Sequence, residues 1–294
     1  MKDIMNLTPL NSDTIENVFL KFYSYDAISL LVDIMEYLSR RYRELLVDLH
    51  TEDEKELQIK KILILKLEIV AKVCHYIENF GAFAYSISKL SPDRNLITEV
   101  YRVLSDYDVT AVKSFYECFV TRNSLNNRNL LNLMRIFCYP KLTSANHSLS
   151  PHLSGTLRNL DDIIREIGGC YIDKKLKLRE AYNSYKHGFR LLFSKDMHND
   201  IDTVVFINKG GSKDFVTVDE ESVKVYMDLK NKWVLLFKIM LHNHRTRQEL
   251  IKENILSKRA SLLFLEKDNN VLSKSVDVMI KYDKGGRITY LSHM

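Results

Sequence analysis

The chain has 294 residues, 46% hydrophobic and 28% charged, which is long enough for one large domain or two smaller ones and too apolar for disorder. Only 9 Gly and 4 Pro punctuate it against 16 Tyr, 13 Phe and 1 Trp; this excludes a collagen-like chain and predicts a core built from long helices. With 43 Lys and Arg against 38 Asp and Glu, the net charge of +5 permits an anionic partner without requiring one.

The first predicted helix starts at the amide-capping cluster Asn11, Ser12 and Asp13. Apolar residues then recur every three to four positions from Ile15, Val18, Phe19 and Phe22 through Leu31, Ile34, Leu38, Tyr42, Leu45 and Leu49. A second helix is predicted from about Glu52 through Ile62, Ile69, Val73 and Ile77 toward Leu90, with Gly81 expected to loosen it locally. Ser91-Pro92-Asp93 marks the start of a third, because serine caps, proline tolerates the first helical position and aspartate favours the positive end of the helix dipole. A pause from Ser105 to Thr110, a segment through Ala111 to Phe119 and another from about Ser124 to Phe137 follow.

Tyr139 to Gly155 contains Pro140 and Pro151 among several Ser and Asn residues and reads as a long exposed connection. It divides the chain into an N-terminal helical region, 1–150, and a second region, 151–294. The two are expected to pack as one assembly, because the later helices bury their apolar faces better against the first bundle than alone. In the second region a short helix from Thr156 to Ile167 is expected to end at Gly168-Gly169, with the next running from Tyr171 to about Phe193.

Two hairpin signals follow. Asp202 to Ile207, a turn at Asn208-Lys209-Gly210-Gly211 and a return from Asp214 to Val218 form the first; Ser275 to Tyr282, Asp283-Lys284-Gly285-Gly286 and Arg287 to Leu291 form the second. They fit one small shared sheet or separate exposed hairpins equally well. Between them, Val223, Tyr226, Leu229, Trp233, Leu236 and Met240 predict a core helix from Asp219 to about Ser257. Thr217-Val218-Asp219-Glu220 at its start matches a capping box. The fold class is therefore mainly α, a multi-helix bundle with one or two small β-hairpins.

The four cysteines, Cys74, Cys118, Cys138 and Cys170, form no C-x-x-C pair and suit reduced thiols rather than a zinc knuckle or a disulfide framework. No run approaches about 18 apolar residues and the N-terminus is broken by polar and acidic side chains, so neither a membrane span nor a signal peptide is expected. A cytoplasmic protein without a membrane partner, a metal or a cofactor is the resulting expectation.

Charge location is more informative than net charge. Between Asp173 and Arg190 lie Lys174, Lys175, Lys177, Arg179, Lys186 and Arg190, opposed only by Asp173 and Glu180. On a helix, Leu178, Ala181, Tyr182, Tyr185, Phe189 and Leu192 form an apolar side, and Arg179, Asn183, Lys186, His187 and Arg190 gather across from it. Asn183 and His187 are one turn apart. An amide can orient an imidazole or a substrate group, and imidazole is the side chain that transfers protons near neutrality. Arg179, Lys186 and Arg190 are suited to phosphate oxygens, so the stripe is a candidate face for RNA or a nucleotide; an ordinary solvated surface explains the same pattern.

This segment resembles the HEPN superfamily of helical bundles, in which an arginine, a polar residue that is often asparagine, three variable residues and a histidine lie on a late helix. Asn183 matches the polar position and His187 the histidine, while Tyr182 stands where the arginine is usual. The resemblance is local to residues 178 to 190, with vaguer support over roughly 91 to 257. It implies a metal-independent endoribonuclease or RNA-binding protein of a bacterial defence or toxin–antitoxin type, often a homodimer or bound to a bacterial protein partner. Asn183, His187 and Arg190 would then be catalytic and Arg179, Lys186 and Arg190 would hold RNA. A noncatalytic helical interaction or scaffold protein is the alternative that Tyr182 keeps open.

Other features are weaker. His242 and His244 on a continuous helix point about 200° apart and do not easily chelate one ion, a geometry that frayed or extended backbone would ease. Gly210-Gly211 and Gly285-Gly286 sit in turns without the Walker A ending, and Arg40-Arg41 with Arg43 and Lys60-Lys61 read as solvated patches.

Overall fold

The computed structural model describes residues 27–47, 52–89, 109–121, 127–139, 150–173, 176–186, 191–192, 203–207, 211–252, 257–268, 270–282 and 288–292. The described elements are α1 (Ala27–Val47), α2 (Glu52–Ser88), α3 (Val109–Val120), α4 (Asn127–Ile136), α5 (Ser150–Ile172), α6 (Leu178–Lys186), β1 (Leu191–Leu192), β2 (Thr203–Ile207), β3 (Lys213–Thr217), α7 (Glu220–Lys252), β4 (Ser257–Asp268), β5 (Asn270–Tyr282) and β6 (Ile288–Ser292). The protein is mainly helical, with two three-stranded antiparallel sheets ordered β1-β2-β3 and β4-β5-β6. The helix start at Asn11 to Asp13 and the one at Ser91 to Asp93 lie outside the described residues. No described helix is long and apolar enough to cross a membrane.

α2 is the axis of the bundle. From Ile62 onward its buried positions face more than one side, with Ile69, Val70, Val73, Tyr76, Ile77, Phe80 and Phe83 all inaccessible, as a helix enclosed by neighbours requires. It packs against all six other described helices and β2. Phe80 meets Phe115 of α3 and Phe237 of α7 edge-on, with the latter ring centroids 5.6 Å apart, and Trp233 lies 4.9 Å from Tyr76 and 4.6 Å from Phe237. Such pairs contribute about 0.5–1.5 kcal/mol each beyond the area they bury.

Two glycines set how closely α3 fits between α2 and α5. A Cβ on Gly81 would lie 2.7 Å from Val112 Cγ1 and 2.8 Å from Tyr116 Cε2; one on Gly168 would lie 2.5 Å from Tyr116 Cδ1. Tyr116 is thus clamped between two helix backbones, and its hydroxyl donates to the Ile77 carbonyl at 2.7 Å. The helix at Gly81 runs on unbroken, and α5 continues through Gly168 and Gly169 to Ile172, where the sequence predicted a stop. Packing against α3, which local sequence does not report, overrides the low helix propensity of glycine.

α5 also begins earlier than predicted. Ser150 and Pro151 form its first turn, where the missing proline N–H costs nothing, so only 140–149 of the expected connection lies outside the described residues. The predicted helix from Tyr171 to Phe193 is divided. α5 ends at Ile172, Lys177 adopts a left-handed φ of 50°, α6 restarts at Leu178, and both helices pack on α2. α6 stops at Lys186, and Leu191 and Leu192 pair with Phe206 and Val205 of β2.

Both predicted hairpins form, in separate sheets. β2 pairs with β3 from Thr203↔Thr217 to Ile207↔Lys213, with Gly211 at φ 81° in the connection, and β5 pairs with β6 from Val278↔Ser292 to Tyr282↔Ile288. The N-cap of α7 is Asp219, whose Oδ1 accepts the Ser222 N–H at 2.7 Å; Thr217 belongs to β3 and takes no part in a capping box.

β4 is the element the sequence did not announce. One edge pairs with β5 along its whole length; on the other, side chains complete the hydrogen bonding of alternate residues. Asn243 of α7 accepts the Leu263 N–H at 2.8 Å and donates to its carbonyl at 3.2 Å, reproducing a strand partner with one amide. Thr156 of α5 accepts from and donates to Leu265, joined by Asn159, while Tyr139 donates to the Leu263 carbonyl and His242 to that of Ser261. Buried backbone groups need such partners.

Candidate functional site

α6 forms because its nine residues separate cleanly into two sides, with Glu180 in the first turn and Lys186 in the last, each favourable to the helix dipole. Leu178, Ala181, Tyr182 and Ser184 are buried; Arg179, Asn183 and Tyr185 are half-buried and Lys186 is exposed. Ser184 fixes the helix to β2 by donating to the Ile207 carbonyl at 2.9 Å, and the Cys74 thiol of α2 donates to the Leu178 carbonyl at 3.5 Å.

The helix is held to α2 by two carboxylates. The Tyr185 hydroxyl donates to Glu68, and Lys186 Nζ lies 2.9 Å from Glu78 Oε2 and 3.9 Å from the centroid of the Tyr182 ring. Glu78 is buried and also accepts the Tyr171 hydroxyl of α5 at 2.8 Å. One carboxylate therefore joins α2, α5 and α6. Burial, reinforced by Glu78, pushes the Tyr171 phenol well above its ordinary value, and burial followed by the bond to Glu68 pushes Tyr185 up to about 12. Burial likewise raises the Cys74 thiol, with Glu78 adding to the effect, and lowers His75, helped by Lys72. The Cys74 thiol and the Tyr171 and Tyr185 phenols therefore stay protonated at neutral pH, and none of the three is a ready nucleophile.

The predicted residues divide accordingly. Arg179 and Asn183 lie one turn apart on the polar side of α6, and Arg179 Nε is buried with no hydrogen-bond partner among the described residues. Lys186, predicted to hold RNA phosphate, has its ammonium on Glu78. Lys177 pairs with Asp214 of β3. His187 and Arg190 lie outside the described residues.

Glu78 and Tyr171 were not singled out from the sequence. The available signal was Glu78 standing between Cys74 and Ala82 at helical spacing, an acid within a stripe whose other members are buried. His242 and His244 donate to carbonyls on different elements, Ser261 and Ile136, and no group of three metal-ligating side chains gathers among the described residues. All four cysteines are free. Compared with known proteins, the chain has no significant match to a family model, a curated protein or a solved structure.

Proposed function

We propose that the chain is a helical RNA-binding protein that contacts the RNA backbone through the polar side of α6 without cleaving it. One observation carries the reading: α6 buries Tyr182 and leaves Arg179 and Asn183 half-buried, one turn apart on its polar side. A guanidinium and an amide one turn apart suit a phosphate and a neighbouring 2′-hydroxyl. Tyr182 in the core leaves the arginine position of the HEPN pattern without a cation, and Lys186 is committed to Glu78. Binding is thereby favoured over transition-state stabilisation, which needs a positive group aimed at the reacting phosphate.

The test is titration of a labelled single-stranded RNA with the full chain at several salt concentrations. Salt-sensitive binding is expected, and Arg179→Ala should weaken it across sequences and lower the salt slope by about 1. No binding at low salt overturns the reading. RNA cleavage that His187→Ala abolishes replaces it with the ribonuclease.

A separate face favours the scaffold alternative. Leu30 and Tyr37, seven residues apart on α1, and Leu57 and Ile64, seven apart on α2, are exposed large apolar side chains two turns apart on one side of each helix. Self-association lost on Tyr37→Glu, in protein that does not bind RNA, would establish that role in its place.

A further inference from the structure

We infer that the outer face of the β1-β2-β3 sheet is a stacking platform for an unpaired nucleobase, with the Phe215 ring as its floor and Lys213 and Lys177 beside the attached phosphate. The inference rests on the RNA-binding reading and names the form of RNA: single-stranded, with at least one base free of its neighbours.

The sheet has two unlike faces. Val204, Phe206 and Val216 point inward and are buried, and β2 and β3 pack on α6. The alternate residues face outward. Lys213, Phe215 and Thr217 of β3 are exposed there, opposite Ile207, Val205 and Thr203 of β2, which are half-buried. An antiparallel sheet solvated on one face ordinarily presents polar side chains on it. At the centre of this one stands Phe215, 58% exposed.

Its surroundings distinguish it from a stray apolar residue. Lys177 Nζ lies over the ring, 5.5 Å from its centroid, and is anchored there by Asp214. Lys213 is two residues away on the same outer face. A nucleotide offers a flat π surface and an anion at fixed separation, and an aromatic ring flanked by ammonium groups is complementary to both. Because Asp214 shares the charge of Lys177, Lys213 carries most of the phosphate attraction. The platform and the proposed backbone contact are linked through the chain: Lys177 immediately precedes α6, and Ser184 ties α6 to β2. Stacking discriminates poorly among bases, so the expected preference is for strandedness rather than sequence.

The experiment uses the full chain and a single-stranded RNA decamer carrying one 2-aminopurine, whose fluorescence is quenched on stacking. Wild type is expected to bind and change the quenching. Phe215→Leu keeps an apolar side chain but no ring, and should weaken binding roughly tenfold and abolish that change, whereas Phe215→Tyr should retain both. Lys213→Glu should weaken binding and flatten its salt dependence. The same sequence as a duplex should give no change in quenching. If wild type binds and Phe215→Leu binds and quenches identically, the platform is overturned while the RNA reading stands. If wild type fails to bind the decamer, the RNA reading falls and takes the platform with it.

Discussion

Alanine at Gly168 and alanine at Gly169 should move stability in opposite directions although the two are neighbours on one helix. At Gly168 the added methyl would meet Tyr116 Cδ1 at 2.5 Å and its Cβ and Cγ at 3.0 Å, against the roughly 3.5–4.0 Å that carbon atoms prefer. Rotating the ring does not relieve the contact with Cβ, and the far side of the ring already faces Gly81. α5 must therefore withdraw, at an overpacking cost near the upper end of the usual range, about 3 kcal/mol. Exchange of glycine for alanine within a helix returns about 1 kcal/mol, leaving a net loss of about 2 kcal/mol. At Gly169 nothing lies within 4 Å, so only the propensity gain of up to about 1 kcal/mol remains. The assay is urea unfolding of the full chain, followed by far-UV circular dichroism and by the fluorescence of Trp233. With a denaturant slope of about 3 kcal/mol per molar, the two midpoints should differ by roughly 1 M. Equal shifts in the same direction would refute the close approach of α3 and α5.

Asn243→Ala removes the partner of the Leu263 N–H and one donor to the Phe137 carbonyl, both within the interior, and should cost about 3 kcal/mol. Hydrogen exchange at the Leu263 amide checks it: protection unchanged from wild type would mean that the side chain is not the strand's partner. Asp219→Ala should cost about 1 kcal/mol at neutral pH through loss of the α7 cap. The Ser222 hydrogen bonds hold the Asp219 carboxyl below its ordinary value, so its stabilisation is present above the unfolded pKa of about 3.9 and lost as pH falls through the lower folded one. The gap in thermal midpoint between wild type and variant should therefore close in strong acid, below pH ~3; a constant gap from pH 7 downward contradicts the assignment.

The parts of the fold that were legible are those dictated by neighbours in sequence. The apolar spacing along Ile62 to Ile87 and along Val223 to Met240 specifies helices whichever way they pack, and the glycine pairs between β-prone runs specify hairpins. What was hidden depends on residues distant in sequence. Gly168 reads as a terminator unless Tyr116 is known to occupy the space beside it. Ser261 to Leu265 is a short apolar run with no strict alternation, and becomes an edge strand because Asn243 and Thr156 supply the partners its backbone lacks. At the candidate site, the placement of Arg179 and Asn183 one turn apart follows from helical spacing. The capture of Lys186 by Glu78 does not, because the two are separated by 108 positions.

The side-chain seam along β4 limits how copies of this protein can join. A sheet grows into a fibre only when each subunit offers two vacant rims, one to receive a strand and one to offer its own. Over Ser261 to Leu265 one rim is closed from within by an amide, a hydroxyl and an imidazole. Strand addition through that stretch is blocked, so two molecules meeting at the opposite rim of this sheet would find no way to extend it through Ser261 to Leu265.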